Sequence, residues 1–151
     1  MRSASSILVA RGASVVFGPG CVVDRGMTLE SRGRIEVGAR TVFGHHGTLA
    51  ASNLISIGED CLIAEMVSIR DHDHSFASRE VPYNQQGQTV APVRIGRNVW
   101  IGSKATVIKG VTIGDNTVVG AGAIVTHDLP ADCLAAGVPA QILSYLDDRE
   151  P

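Results

Sequence analysis

Aromatic side chains are scarce in this chain: 4% of 151 residues, against 44% hydrophobic residues overall. A globular core of this size usually leans on large rings. A stack of aliphatic layers does not need them, so the composition points to a solenoid. Cysteine is nearly absent too. Cys21, Cys61 and Cys133 are odd in number and form no Cys-x-x-Cys pair. They read as small buried residues of a reducing compartment. A large excess of either charge is lacking: the formal net charge is -2, which argues against a nucleic-acid or membrane-surface partner. No apolar run approaches the roughly 20 residues of a membrane span. Ile7-Leu8-Val9-Ala10 near the start is too short for the core of a signal peptide. A cytoplasmic protein is expected by default, and the length suits one domain.

What the chain does have is a strict period of six. Aliphatic residues fall at Ile95, Ile101, Val107, Ile113, Val119 and Val125, and most are followed by a small residue such as Gly96, Gly102, Gly114 or Gly120. A helix repeats at 3.6 residues and a strand at 2. A period of six fits a coil of three short flat faces, each two strand residues plus a turn. The aliphatic residue points inward, and the small one lets the chain turn tightly.

In chain order, residues 1–14 read as a cap or loose start, and 15–69 as repeats. The six-step runs Phe17, Val23, Leu29, Ile35, then shifts by two at Val37 and again near Ser52-Asn53. About seven coils of eighteen residues are expected. The pattern stops between Ile69 and Ile95, so 70–92 is read as an excursion loop. It holds Asp71-His72-Asp73-His74, two of the five histidines, and is the best site candidate. Repeats resume over 93–127. Residues 128–151 read as a C-terminal cap, with Ala140–Leu146 as a short helix after Pro139 and 147–151 as a frayed tail.

Three stretches carry a family resemblance: Val67-Ser68-Ile69-Arg70-Asp71-His72-Asp73-His74, Ile95-Gly96-Arg97-Asn98-Val99-Trp100-Ile101-Gly102-Ser103, and Ala135-Ala136-Gly137-Val138-Pro139-Ala140. In that order they resemble the hexapeptide-repeat acyltransferases, the family of galactoside, maltose and polysaccharide O-acetyltransferases. The resemblance implies an all-β fold, a left-handed parallel β-helix. It implies transfer of an acetyl group from acetyl-CoA to a hydroxyl of a sugar or sugar-containing metabolite, with no metal. A triangular prism leaves flat sides, and three can close around an axis with identical contacts, so a homotrimer with three sites between subunits is expected.

The same resemblance places the catalytic base at His74, a role that suits a neutral imidazole. Asp71 or Asp73 would orient that ring, and His72 would line the acceptor pocket. Trp100, the only tryptophan, is expected outside the stack beside the loop, as an apolar wall or at a subunit contact. Ser103 would donate to the developing oxyanion. The late repeats would bind the CoA arm through Ala121, Thr126 and His127. His127 and Gln141 stand where the family often has a lysine and an arginine reaching the phosphates. Lys104, Lys109 and Arg149 are the cations left for that work. The family's asparagine near the acetyl group falls on Gly44, and His45 and His46 follow as polar substitutes.

Other readings keep the fold and change the chemistry. One acetylates an amino group of a nucleotide sugar. Another is a γ-carbonic-anhydrase-like metal protein, which needs two histidines on one coil five apart. Here His45 and His46 are adjacent, and His72 and His74 are two apart. The last is a scaffold without catalysis.

Overall fold

The computed structural model describes residues 5–146. The tail expected at 147–151, like Arg149 and the first four residues, lies outside them. The chain winds into a parallel β-solenoid with three flat faces. The first face stacks Ser6–Val9, Thr28–Ser31, Thr48–Ala51, Ser68–Arg70, Thr106–Val107 and Ile124–Val125. The second stacks Ser14–Phe17, Arg34–Val37, Leu54–Ile57, Val93–Ile95 and Thr112–Ile113. The third stacks Val22–Val23, Val42–Phe43, Leu62–Ile63, Trp100–Ile101, Val118–Val119 and Cys133–Ala136. Three six-residue steps complete one turn, so Ile95, Ile101 and Val107 sit on successive faces. All six residues of the period are at most 3% exposed. They form one continuous aliphatic core.

The glycine after the inward residue has a sharper reason than turning. A Cβ on Gly102 would lie 2.6 Å from the main-chain nitrogen of Ala121, and one on Gly58 2.5 Å from the carbonyl oxygen of Gly96. Successive coils touch through backbone there, and only hydrogen fits between them. The left-handed conformation falls two residues later, on Asp60, Asn98, Lys104 and Asn116 among others, with φ of 53–60°.

The coils are not uniform. Thr28 pairs with Thr48 and Thr48 with Ser68, so the early coils have twenty residues. Thr106 pairs with Ile124, an eighteen-residue coil. The two extra residues lengthen the corner between the first and second faces, which explains the shifts at Val37 and Ser52. The wider coils admit the rings of Phe17 and Phe43, packed edge to face at 6.0 Å. The first face has six strands, so about six coils replace the seven expected. The stack also starts earlier than expected, because Ser6–Val9 already pairs with Thr28–Ser31.

The expected C-terminal helix is a strand. Gln141–Tyr145 turns back at Gly137 (φ 102°) and pairs antiparallel with Cys133–Ala136. The reason lies in the stack: Cys133–Ala136 is its last strand and would show a row of unpaired main-chain groups. A helix over 140–146 would leave them open. Among the described residues, no helix is long and apolar enough to cross a membrane.

Candidate active site

The excursion leaves the stack at the corner between the first and second faces. The first-face strand ends at Arg70, and the second face resumes at Val93. Inside the early coils a column of small residues lines this corner, with Ser31 paired to Ala51. Asp71 takes the next place in the column and is fully buried. Its role follows from what the departing chain removes. One coil earlier, the amides of Arg32 and Arg34 donate to the carbonyls of Ala51 and Asn53. The amides of Ser52, Asn53 and Leu54 have no following coil to bond. The Asp71 carboxylate accepts all three at 2.7 Å. It also meets His72 Nδ1 at 2.9 Å.

The loop then forms a two-stranded antiparallel ribbon, His72–His74 with Gln88–Val90. Lys109, at the same corner one coil on, donates to Asp73 at 2.6 Å. Neither aspartate hydrogen-bonds to His74: Asp71 holds His72, and Asp73 holds Lys109. That corrects the expectation that one of them orients the His74 ring, and it removes Lys109 from the free cations. His74 is exposed on the ribbon. Thr126 and His127 share this corner a coil further along, with Thr126 Oγ1 2.9 Å from His127 Nδ1.

A second group gathers at another corner, between the third and first faces. There a cavity of about 490 Å³ is lined by Trp100, Ser103, Ala121, Glu65, Val118 and Leu134, with backbone of Gly102 and Gly120 at its floor. The walls are apolar except for Glu65 and Ser103. Trp100 is half exposed. It lies on the third face, away from its own chain's loop and not beside it. His45 and His46 are one coil up on this corner, their rings edge to face at 5.3 Å; the His45 carbonyl accepts the Met66 amide. Gln141 stands apart, exposed in the last strand.

Glu65 escaped the sequence reading, which has Lys109 as a cation for the CoA phosphates and not as the partner of Asp73. Glu65 lines the cavity because it stands two after the inward Ile63, as Ser103 stands two after Ile101 and Ala121 two after Val119. Counting from the period would have found it. Lys109 carried no local signal, since its partner Asp73 is thirty-six residues away. A nucleophilic role suits no cysteine in either group. Burial pushes the Cys61 thiol above its ordinary pKa, and its Sγ donates to the Gly96 carbonyl at 3.2 Å. Among the described residues, no three His, Cys, Asp or Glu side chains cluster as metal ligands would.

Comparison with known proteins fits this geometry. Residues 92–127 match the family described as hexapeptide repeat of succinyl-transferase. The galactoside O-acetyltransferase of Escherichia coli K12 is 38% identical over 116 residues, 77% of this chain and 56% of that protein. The chain thus spans just over half the length of that relative. A putative lipopolysaccharide biosynthesis O-acetyl transferase of the same strain, WbbJ, is 31% identical over 144 residues, 89% of this chain and 74% of WbbJ. Among solved structures, a galactoside acetyltransferase in complex with coenzyme A superposes with a TM-score of 0.82 at 34% identity, covering 88% of this chain and 66% of that one. With the repeat, the loop and the grooved corner all in place, the chain belongs to the hexapeptide-repeat acetyltransferase family.

Proposed function

We propose that the protein is an acetyl-CoA-dependent O-acetyltransferase acting on a hydroxyl of a sugar or sugar-containing metabolite. One observation carries the reading. The histidine loop and the apolar cavity lie at two corners of the prism, with the first face between them, so one chain alone cannot close a site. A neighbour turned about a threefold axis brings the His74 corner of one copy to the Trp100 corner of the next. The third face suits such a contact. Its outward column is Val22, Val42, Leu62, Trp100, Val118 and Leu134, all apolar. The second face carries Arg34, Glu36 and Arg94 outward, as a solvated face does.

The cavity fits the thioester end of CoA. Its walls are apolar, and Gly102 and Gly120 let a slender chain run against main-chain groups. Ala121 lines this cavity; on this reading Thr126 and His127, at the His74 corner, and Gln141, in the last strand, reach the CoA arm. His74 takes the acceptor's hydroxyl proton as that oxygen attacks the thioester carbonyl. Ser103 donates to the carbonyl oxygen as charge gathers there. The carbon–sulfur bond then breaks, and the His74 imidazolium returns its proton to the sulfur. Trp100, His45 and His46 border the acceptor. The protein acts in the cytoplasm on this reading, consistent with free thiols at all three cysteines.

The test is His74→Ala. It should bind CoA as before and lose at least about 100-fold in acetyl transfer. An unchanged rate would remove His74 from its role. Transfer to amines in preference to hydroxyls would move the protein to the N-acetylating reading.

A further inference from the structure

We infer that His72 is a specificity residue: its Nε2 receives a hydrogen bond from a second hydroxyl of the acceptor, one or two carbons from the hydroxyl attacked. The inference rests on the acetyl-transfer reading above and narrows it to polyols.

The tautomer of His72 is fixed by its neighbour. Three main-chain N–H groups already point at the Asp71 oxygens, at 2.7 Å each. As a carboxylate holding three N–H donors, the group acts only as an acceptor. The hydrogen in the 2.9 Å contact therefore belongs to His72 Nδ1. In the neutral ring, Nε2 is then a bare acceptor. Among the described residues that nitrogen makes no hydrogen bond, and no buried side-chain nitrogen or oxygen lacks a partner. Nε2 therefore reaches the surface, although the side chain as a whole is only 15% exposed. The ring is held, and one atom of it is presented.

Its direction follows from the strand. Side chains alternate, so His72 and His74 share one side of the ribbon. Asp73 takes the other side, where Lys109 holds it. The two histidines are about 6.6 Å apart along the strand, close enough for their ring tips to bracket neighbouring hydroxyls. One imidazole takes the proton of the attacking oxygen. The other can only accept from the oxygen beside it. An acceptor without the second hydroxyl covers this nitrogen and leaves it with nothing to bond, and sites of this kind reject such analogues.

The experiment uses the intact protein with acetyl-CoA and reads free thiol. The acceptors are methyl β-D-galactopyranoside, cis-cyclohexane-1,2-diol and cyclohexanol, each in wild type and in His72→Phe. Expected is a kcat/KM for the diol at least about 10-fold above that for cyclohexanol, falling to near parity in His72→Phe. Equal use of diol and cyclohexanol by the wild type, or an unchanged ratio in the variant, overturns this inference and leaves acetyl transfer standing. No acceptor-dependent thiol release with any compound overturns the transfer reading and this one with it. A second readout needs no acceptor. In nitrogen-15 spectra, neutral His72 should carry its proton on Nδ1, and a proton on Nε2 overturns the inference.

Discussion

Asp71 shows how much one side chain can hold. Sequence reasoning gave it a catalytic neighbour to orient, because it precedes two histidines. The structure gives it the main chain of the preceding coil instead. Only the pairing of Ser31 with Ala51, and of Ala50 with Arg70, places it in the corner column. Asp71→Ala leaves three amides without their acceptor, that of Leu54 buried. A buried orphan costs about 1–3 kcal/mol, so a loss of at least about 1 kcal/mol is expected, read as a lower denaturant midpoint. Asp71→Asn should recover part of it, since one amide oxygen still accepts. Asp60 is a contrasting case on the surface. A hydrogen bond from Arg40 lowers its pKa below the ordinary 3.8. The stability this pair adds is present above that value and is lost as pH falls through the lower folded pKa. Asp60→Asn should therefore flatten the acid side of the stability profile, measured as midpoint against pH.

At the scale of the coil, the binding constraint is backbone meeting backbone. Gly102 is both a point of close backbone approach between two turns and the floor of the cavity. Gly102→Ala forces the turns apart, at a cost of about 1–3 kcal/mol by overpacking. It should also weaken acetyl-CoA binding, because the floor rises. Calorimetric titration with CoA would show this, and unchanged affinity would mean that the groove is not used. The corner lengths were readable in the chain as slips of two residues, but their meaning was not. The same slip fits an outward bulge or a longer strand pair, and only the register of Thr28, Thr48 and Ser68 identifies a wider coil. The last strand was misread for a related reason. Gln141–Tyr145 follows a proline that suits a helix start, yet the open edge of Cys133–Ala136 outweighs that preference.

At the scale of the whole molecule, the separation of the two corners becomes a statement about assembly. The proposed trimer should sediment near three times the chain mass of 15.8 kDa. Leu62→Glu places a charge in the middle of the apolar column and is expected to yield monomer. That monomer should also lose transfer activity, because His74 and the cavity then belong to separated chains. Activity retained in a monomer would show that each chain holds a complete site.

The repeat was settled by sequence alone, because a residue that must face inward every sixth position leaves a mark no turn or loop can hide. So was the loop, since a stretch without that period has no place in the stack. The sequence also singled out the histidines, through the polar character of the only long interruption. Which side chains meet was decided by tertiary structure. Residues on one corner are eighteen or twenty positions apart, so Glu65 with Ser103, Asp73 with Lys109, and Asp71 with the amides of Ser52 to Leu54 become neighbours only when the coils stack. The chain specifies its period locally, and the stacking of coils turns that period into a cavity at one corner and a pair of histidines at another.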